Sequence, residues 1–286
     1  MVLMKSKDDK KFNTLNDLVG LILGVIDKQV KLINEIGPRL TEHNKAAILQ
    51  TEKDYLVFFR DVAAYLNSNF RSRIPEKNYR FLLPNIRALF EIFANLLYLT
   101  SVDESMAMRV CVISKLVTLA QVLNIGAEND EEAFESYTDW YDLHSEFLAS
   151  LSVQFPRDPK NLNRKFLKKN KIQNPSIFDM VQPEWIQSAT PETIKMFPNL
   201  VKDPYKMYAY FSNYVHANVL VKGFHGREKY WTFAELIMRC LLVTEIVDGK
   251  ILNNSNSQEL ETLRVQCKKH LPSFVEIWQG AQFREV

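Results

Sequence analysis

Two stretches of the chain place proton-exchanging and charged side chains where a helix would otherwise be apolar. From Ile86 the sequence reads IRALFEIFANLLYLT, apolar almost all round, as expected of a core helix. The exceptions are Arg87, Glu91, Asn95 and Tyr98, spaced four, four and three apart, which puts them on one stripe. A charge inside a protein has to be paired, and Arg87 and Glu91 can pair across one helical turn. The second stretch, PYKMYAYFSNYVHAN, carries Tyr205, Tyr208, Ser212 and His216 at spacings of three, four and four. Phenols, a hydroxyl and an imidazole on one face can exchange protons or hold an anion near neutral pH. Each stripe has two readings, a structural network that fixes packing or the polar wall of a pocket. A site requires the two stripes to meet, bringing Arg87, Glu91, Tyr208, Ser212 and His216 together with Asn95 and Tyr205 at its margin.

Two further features are candidates. His225, within Gly223-Phe224-His225-Gly226-Arg227, is placed to reach a ligand from a loop. In the run NRKFLKKNK from Asn163, five cations including Lys165, Lys168 and Lys169 surround two apolar residues, a composition that can grip phosphates or simply be a solvated loop. His144 falls on an apolar helical face and is read as core. Cys111, Cys240 and Cys267 are far apart and sit in apolar or amphipathic patterns, so they are read as small buried hydrophobes rather than a disulfide or metal framework. Gly-rich phosphate loops, Cys/His metal motifs and Asp-rich metal sites are absent from the sequence, so no metal and no cofactor are expected.

The elements that must position these residues are helices. Only 8 of 286 residues are glycine, which leaves little for hairpins or phosphate loops, while 47% are hydrophobic and supply an ample core. The net charge of +2 gives no global argument for a nucleic-acid partner. The spacing predicts an all-α, multi-helix bundle of about eight helices in a single domain, 1–286, with a mobile tail over 1–12 and an irregular insertion over 153–202. Apolar residues at helical spacing run from Leu15 to Gly37-Pro38. Thr41 is the expected cap of a second helix, Pro84 the start or kink of a third, and Asp103 and Asp130 the caps of a fourth and fifth. The fifth is expected to run through Phe134, Tyr137, Tyr141 and His144 to Leu151, burying that face. A short helix is expected at Thr190-Pro191-Glu192, a sixth long one near 203–218, and two more near 229–253 and 257–279, separated by an Asn- and Ser-rich turn. The longest early apolar run, 18–26, is too short to cross a membrane, so a cytoplasmic protein without a membrane partner is expected.

The combination of Arg87-x-x-x-Glu91 on a buried helix and Tyr208-x-x-x-Ser212-x-x-x-His216 on a later one resembles a group of bacterial helical proteins of unassigned function, associated with defence against phage, that look like relatives of the HEPN superfamily. The resemblance spans about residues 78–218 and consists of short motifs. It implies a helical bundle, a homodimer, and metal-independent ribonuclease or RNA-binding activity. The superfamily's usual motif sets an arginine four to six residues ahead of a histidine, and here those positions hold Ser212, Phe211 and Tyr210. On this likeness His216 is the acid–base group, and Arg87, or a residue from a second subunit, is the phosphate-holding cation. Glu91 then orients Arg87, and Ser212 and Tyr208 hydrogen-bond the histidine or the phosphate. Two other functions remain open: a non-catalytic interaction or sensor protein with structural stripes, and a module that binds a nucleotide or anion without turning it over.

Overall fold

The computed structural model describes residues 7–71, 82–124, 131–172, 189–197, 208, 212 and 228–270. Among them the secondary structure is helical and there is no strand. Ten α-helices are present there: α1 (Lys7–Ile36), α2 (His43–Arg71), α3 (Leu83–Leu99), α4 (Glu104–Asn124), α5 (Glu131–Leu143), α6 (Ser145–Ser150), α7 (Arg164–Lys169), α8 (Pro191–Met196), α9 (Glu228–Ile246) and α10 (Ser257–His270). The all-α multi-helix class follows from the sequence pattern; the count exceeds eight because the expected fifth helix is divided into α5 and α6 and because α7 forms where the sequence reads as irregular.

The local chemistry explains most boundaries. Pro84 sits in the first turn of α3, where its missing N–H costs nothing. Asp103 Oδ1 accepts the Met106 amide at 2.9 Å and so caps α4. The short helix expected at Thr190-Pro191-Glu192 is α8, and Thr190 caps it by accepting the Thr193 amide. Helix α1 begins at Lys7, so residues 7–12, expected in a tail, are already helical. The expected fifth helix is broken at His144, which ends α5 and stands at the N-cap of α6 with φ −112° and ψ 19°. Phe134, expected on the buried face, is 49% exposed. Helix α9 runs into a π-helical turn, Val247–Ile251, and the Asn-rich turn follows with Asn253 and Asn254 in the left-handed region that asparagine tolerates.

Two apolar cores organise the bundle. The larger is built by α1, α2, α3 and α9 with α8 and α10 against them, and every residue over 232–248 is buried, so α9 is its central helix. The smaller gathers Met108, Val112 and Leu116 of α4 with Tyr137, Leu148, Phe155 and Leu162. Both cores lean on α2: Leu56 and Phe59 enter the first, and Ala47 and Ile48 the second. At roughly 1.5–3 kcal/mol for each large apolar side chain removed from water, this burial dominates the stability of the chain. One helix among the described residues, α4, is long and apolar enough to cross a membrane, and its Met108–Val112–Leu116 side is packed into the second core. All three cysteines are buried and free.

Candidate functional site

Helix α3 is flanked by α2 on one side and α9 on another, and its apolar residues Leu89, Phe90, Phe93, Leu96 and Leu97 are fully buried. The polar stripe therefore falls on the side of α3 that these neighbours do not cover. There Arg87 Nε donates to Glu91 Oε1 at 2.8 Å, one helical turn on. The same arginine donates through Nη2 to the Tyr208 hydroxyl at 3.0 Å, and that hydroxyl donates to Glu91 Oε1 at 3.2 Å. The three groups close a triangle in which each of these hydrogens has an acceptor. The guanidinium also lies over the Tyr208 ring, 5.1 Å from its centroid, and the ring packs on Phe90 at 5.1 Å. Phenol and aromatic face thus hold the arginine at once.

The side chains of Arg87 and Glu91 are 19% and 37% exposed, so the ion pair is sheltered yet reaches solvent. Burial lowers the affinity of Arg87 for its proton; the hydrogen bond and charge of Glu91, with Tyr208, more than offset that, leaving the guanidinium raised above its ordinary value. Among the described residues only Nε and one Nη2 hydrogen are used, which leaves donors of the planar fork for an anionic ligand.

The remaining candidates fall as follows. Asn95 donates its amide to the Glu91 carbonyl at 2.8 Å and so spends that donor on its own helix. Ser212 is helical and half-buried, and no hydrogen bond joins it to Arg87, Glu91 or Tyr208. Lys165, Lys168 and Lys169 are exposed on α7 in the region of the second core. Tyr205, His216 and His225 lie outside the described residues, as do Asp130 and most of the expected sixth helix. His144 is buried against Trp140, with ring centroids 4.3 Å apart. An open groove of about 270 Å³ runs between Ile33, Pro38, Leu49 and Lys53, and none of the candidates lines it. Among the described residues no group of three or more His, Cys, Asp or Glu side chains is arranged to hold a metal ion.

The structure adds a second ion pair behind the first. On α9, Arg239 Nε donates to Glu235 Oε2 at 2.9 Å and Nη2 approaches the same oxygen at 2.7 Å, with both side chains wholly inaccessible. The Arg239 guanidinium lies 4.7 Å from the Phe90 ring and 5.8 Å from the Phe93 ring. Burial pushes the Glu235 carboxyl up and the Arg239 guanidinium down, and their mutual attraction opposes both shifts. Phe90 therefore has a buried arginine against one part of its ring and Tyr208 against another, which links the inner pair to the outer triangle through one aromatic side chain. The sequence carries a signal for it, since Glu235-x-x-x-Arg239 is an i,i+4 pair inside the apolar run TFAELIMRCLLV.

The fold and the site together define an all-α bundle with opposed charged pairs on two facing core helices, the outer one joined to a tyrosine from a later segment. No protein-family model matches this chain, and neither a curated protein nor a solved structure matches it.

Proposed function

We propose that this chain is a HEPN-like, metal-independent ribonuclease or RNA-binding effector that works as a homodimer in the cytoplasm, in keeping with a role in defence against phage. The observation that supports the reading is the Arg87–Glu91–Tyr208 triangle, in which a partly exposed guanidinium is held by two neighbours and keeps free donors. Arg87 supplies the cation that steadies negative charge on the phosphate in the transition state. Glu91 and Tyr208 fix its direction. His216, eight residues beyond Tyr208 in the chain, supplies the proton transfer. The histidine takes the ribose 2′-hydroxyl proton, the 2′-oxygen bonds to phosphorus, and the bond from phosphorus to the 5′-oxygen breaks. The 5′-oxygen leaves with the proton that His216 has taken, giving a 2′,3′-cyclic phosphate end and returning the imidazole to its neutral form.

The test is cleavage of end-labelled structured and unstructured RNAs in EDTA by wild type, His216→Ala and Arg87→Ala. The expected result is cyclic-phosphate products from wild type and a loss of about a hundredfold or more in each variant. No cleavage by wild type, with both variants merely melting earlier, would overturn the catalytic reading.

A second reading has its own support. Because Arg87 already has Glu91 and Tyr208 as partners, and the inner pair is wholly buried, the same groups can serve as packing locks in a non-catalytic interaction or sensor protein. A third keeps the partly exposed guanidinium as a nucleotide or anion site without turnover. Binding of a nucleotide while RNA stays intact distinguishes it from the other two.

A further inference from the structure

The described residues carry two strongly asymmetric charge features, an acidic run over 131–146 with six acids and no lysine or arginine, and a basic one in the region of the second core, away from the α3 stripe. Over 157–171 the chain holds seven lysines and arginines and one acid, in a protein whose net charge is only +2. The acid, Asp158, is occupied in its own turn, accepting from the Lys160 amide at 2.9 Å and from Asn161 Nδ2 at 3.3 Å. Arg157 is paired with Asp142 at 2.7 Å. Lys160, Arg164, Lys165, Lys168, Lys169 and Lys171 are exposed, and among the described residues none has an ion-pair partner.

This is a built surface rather than a solvated loop. Asn163 caps α7 by accepting the Lys165 and Phe166 amides, each at 3.1 Å, and Asn170 Nδ2 closes its other end on the Phe166 carbonyl at 2.9 Å. Lys171 turns the chain in the left-handed region at φ 53°, and Ile172 returns its amide to the Leu167 carbonyl at 2.9 Å. Phe166 and Leu167 pack into the second core, with Phe166 edge-on to Phe155 at 6.0 Å. At about 100° per residue, Arg164, Lys168, Lys165 and Lys169 fall within an arc of roughly 140°, and the two apolar residues take the opposite side. The four cations form two pairs one turn apart, about 6 Å along the axis, on the scale of one phosphate step of an extended strand.

We propose that the exposed face of α7, with Lys160 and Lys171 at its ends, is a binding surface for the phosphate backbone of RNA. This rests on the RNA reading above and adds to it where the strand is held. A membrane is the poorer partner, because α7 turns both of its apolar residues inward and offers a bilayer nothing to bury. The surface touches phosphates, so it sets affinity and its salt dependence and reads no sequence.

The experiment follows fluorescence anisotropy of labelled oligouridylate on the full chain over a salt series, comparing wild type with K165Q/K168Q/K169Q and K165E/K168E/K169E. These positions are exposed, so both variants should melt within a degree or two of wild type, which checks the fold. The expected result is at least a tenfold loss of affinity at low salt in the glutamine variant and a larger one in the glutamate variant. The log–log salt slope should fall by about 2, near 0.7 for each phosphate of a single strand that is no longer neutralised. Unchanged affinity and slope overturn the proposal, as does a defect that appears on phosphatidylserine vesicles and not on RNA. The cleavage assay separates the two claims: wild type that binds through these lysines and cuts nothing retains the surface and loses the catalysis.

Discussion

Arg87 and Tyr208 stand 121 positions apart in the chain and meet at 3.0 Å, with the guanidinium both hydrogen-bonded to the phenol and stacked over its ring. Tyr208→Phe deletes the hydroxyl and keeps the ring, so it separates the two interactions. The hydroxyl joins a charged pair that is partly open to water, and its loss should cost about 1 kcal/mol in urea unfolding. A double-mutant cycle with Arg87→Gln should return a coupling of the same size. Coupling near zero would mean that the hydroxyl acts through Glu91 and not through Arg87.

The inner pair behaves differently because it has no access to water. Arg239→Met strands the Glu235 carboxylate in a wholly buried position, and the expected cost is about 3–5 kcal/mol. Glu235→Leu combined with Arg239→Met removes both charges and should recover most of that loss, since the site is walled by Phe90 and Phe93. Chemical denaturation of the two variants beside wild type decides it. A double variant no better than the single would show that Arg239 acts on more than Glu235.

Much of the bundle is legible in the sequence, and the exceptions have physical causes. The α3 stripe stands out because four polar residues interrupt a buried helix at one spacing. The identical i,i+4 logic of Glu235 and Arg239 is fainter, because only two charges interrupt a long apolar run. The cap at Asp103 and the short helix at Thr190-Pro191-Glu192 are local chemistry and are visible in sequence. The break at His144 involves a contact across the fold: the imidazole lies beside Trp140 of its own helix, and its ring centroid is 5.4 Å from that of His43 on α2. That Tyr208 reaches Arg87 is likewise set by packing over a long stretch of chain, which periodicity does not encode.

Glu245 shows how part of the 153–202 segment is fastened. Its Oε1 accepts from Thr193 Oγ1 at 2.8 Å, Arg264 Nε at 3.0 Å and Thr190 Oγ1 at 3.3 Å, and Oε2 accepts the Thr190 amide at 3.3 Å. One carboxylate therefore joins α8, α9 and α10. Glu245→Ala should destabilise the chain by about 3 kcal/mol, because Arg264 keeps only the exposed Glu261. Limited proteolysis should then cut near α8 well before the remainder of the chain. Global unfolding with no early cut would mean that α8 belongs to the same cooperative unit as α9.

Glu52 and His144 tilt stability in opposite directions over nearly the same pH range. Burial pushes the Glu52 carboxyl up from 4.5 to about 7, so the folded chain holds that proton more tightly than the unfolded one. Its contribution is whole below pH 4.5 and is lost as pH rises through about 7. Burial, reinforced by His43 and Lys115, lowers His144 from 6.5 to about 4, so the folded chain keeps the imidazole neutral. That contribution is whole above pH 6.5 and is lost as pH falls through about 4. Each swing is up to about 3 kcal/mol, and in wild type the two slopes largely cancel. Glu52→Gln should expose the histidine slope, giving a chain that gains stability from pH 4 to 6.5 and is more stable than wild type at pH 7. His144→Gln should expose the other, with stability falling from pH 4.5 to 7. Unfolding free energies across that range, taken as variant minus wild type, carry the test. A difference that stays flat for Glu52→Gln would mean that water reaches the carboxylate in solution.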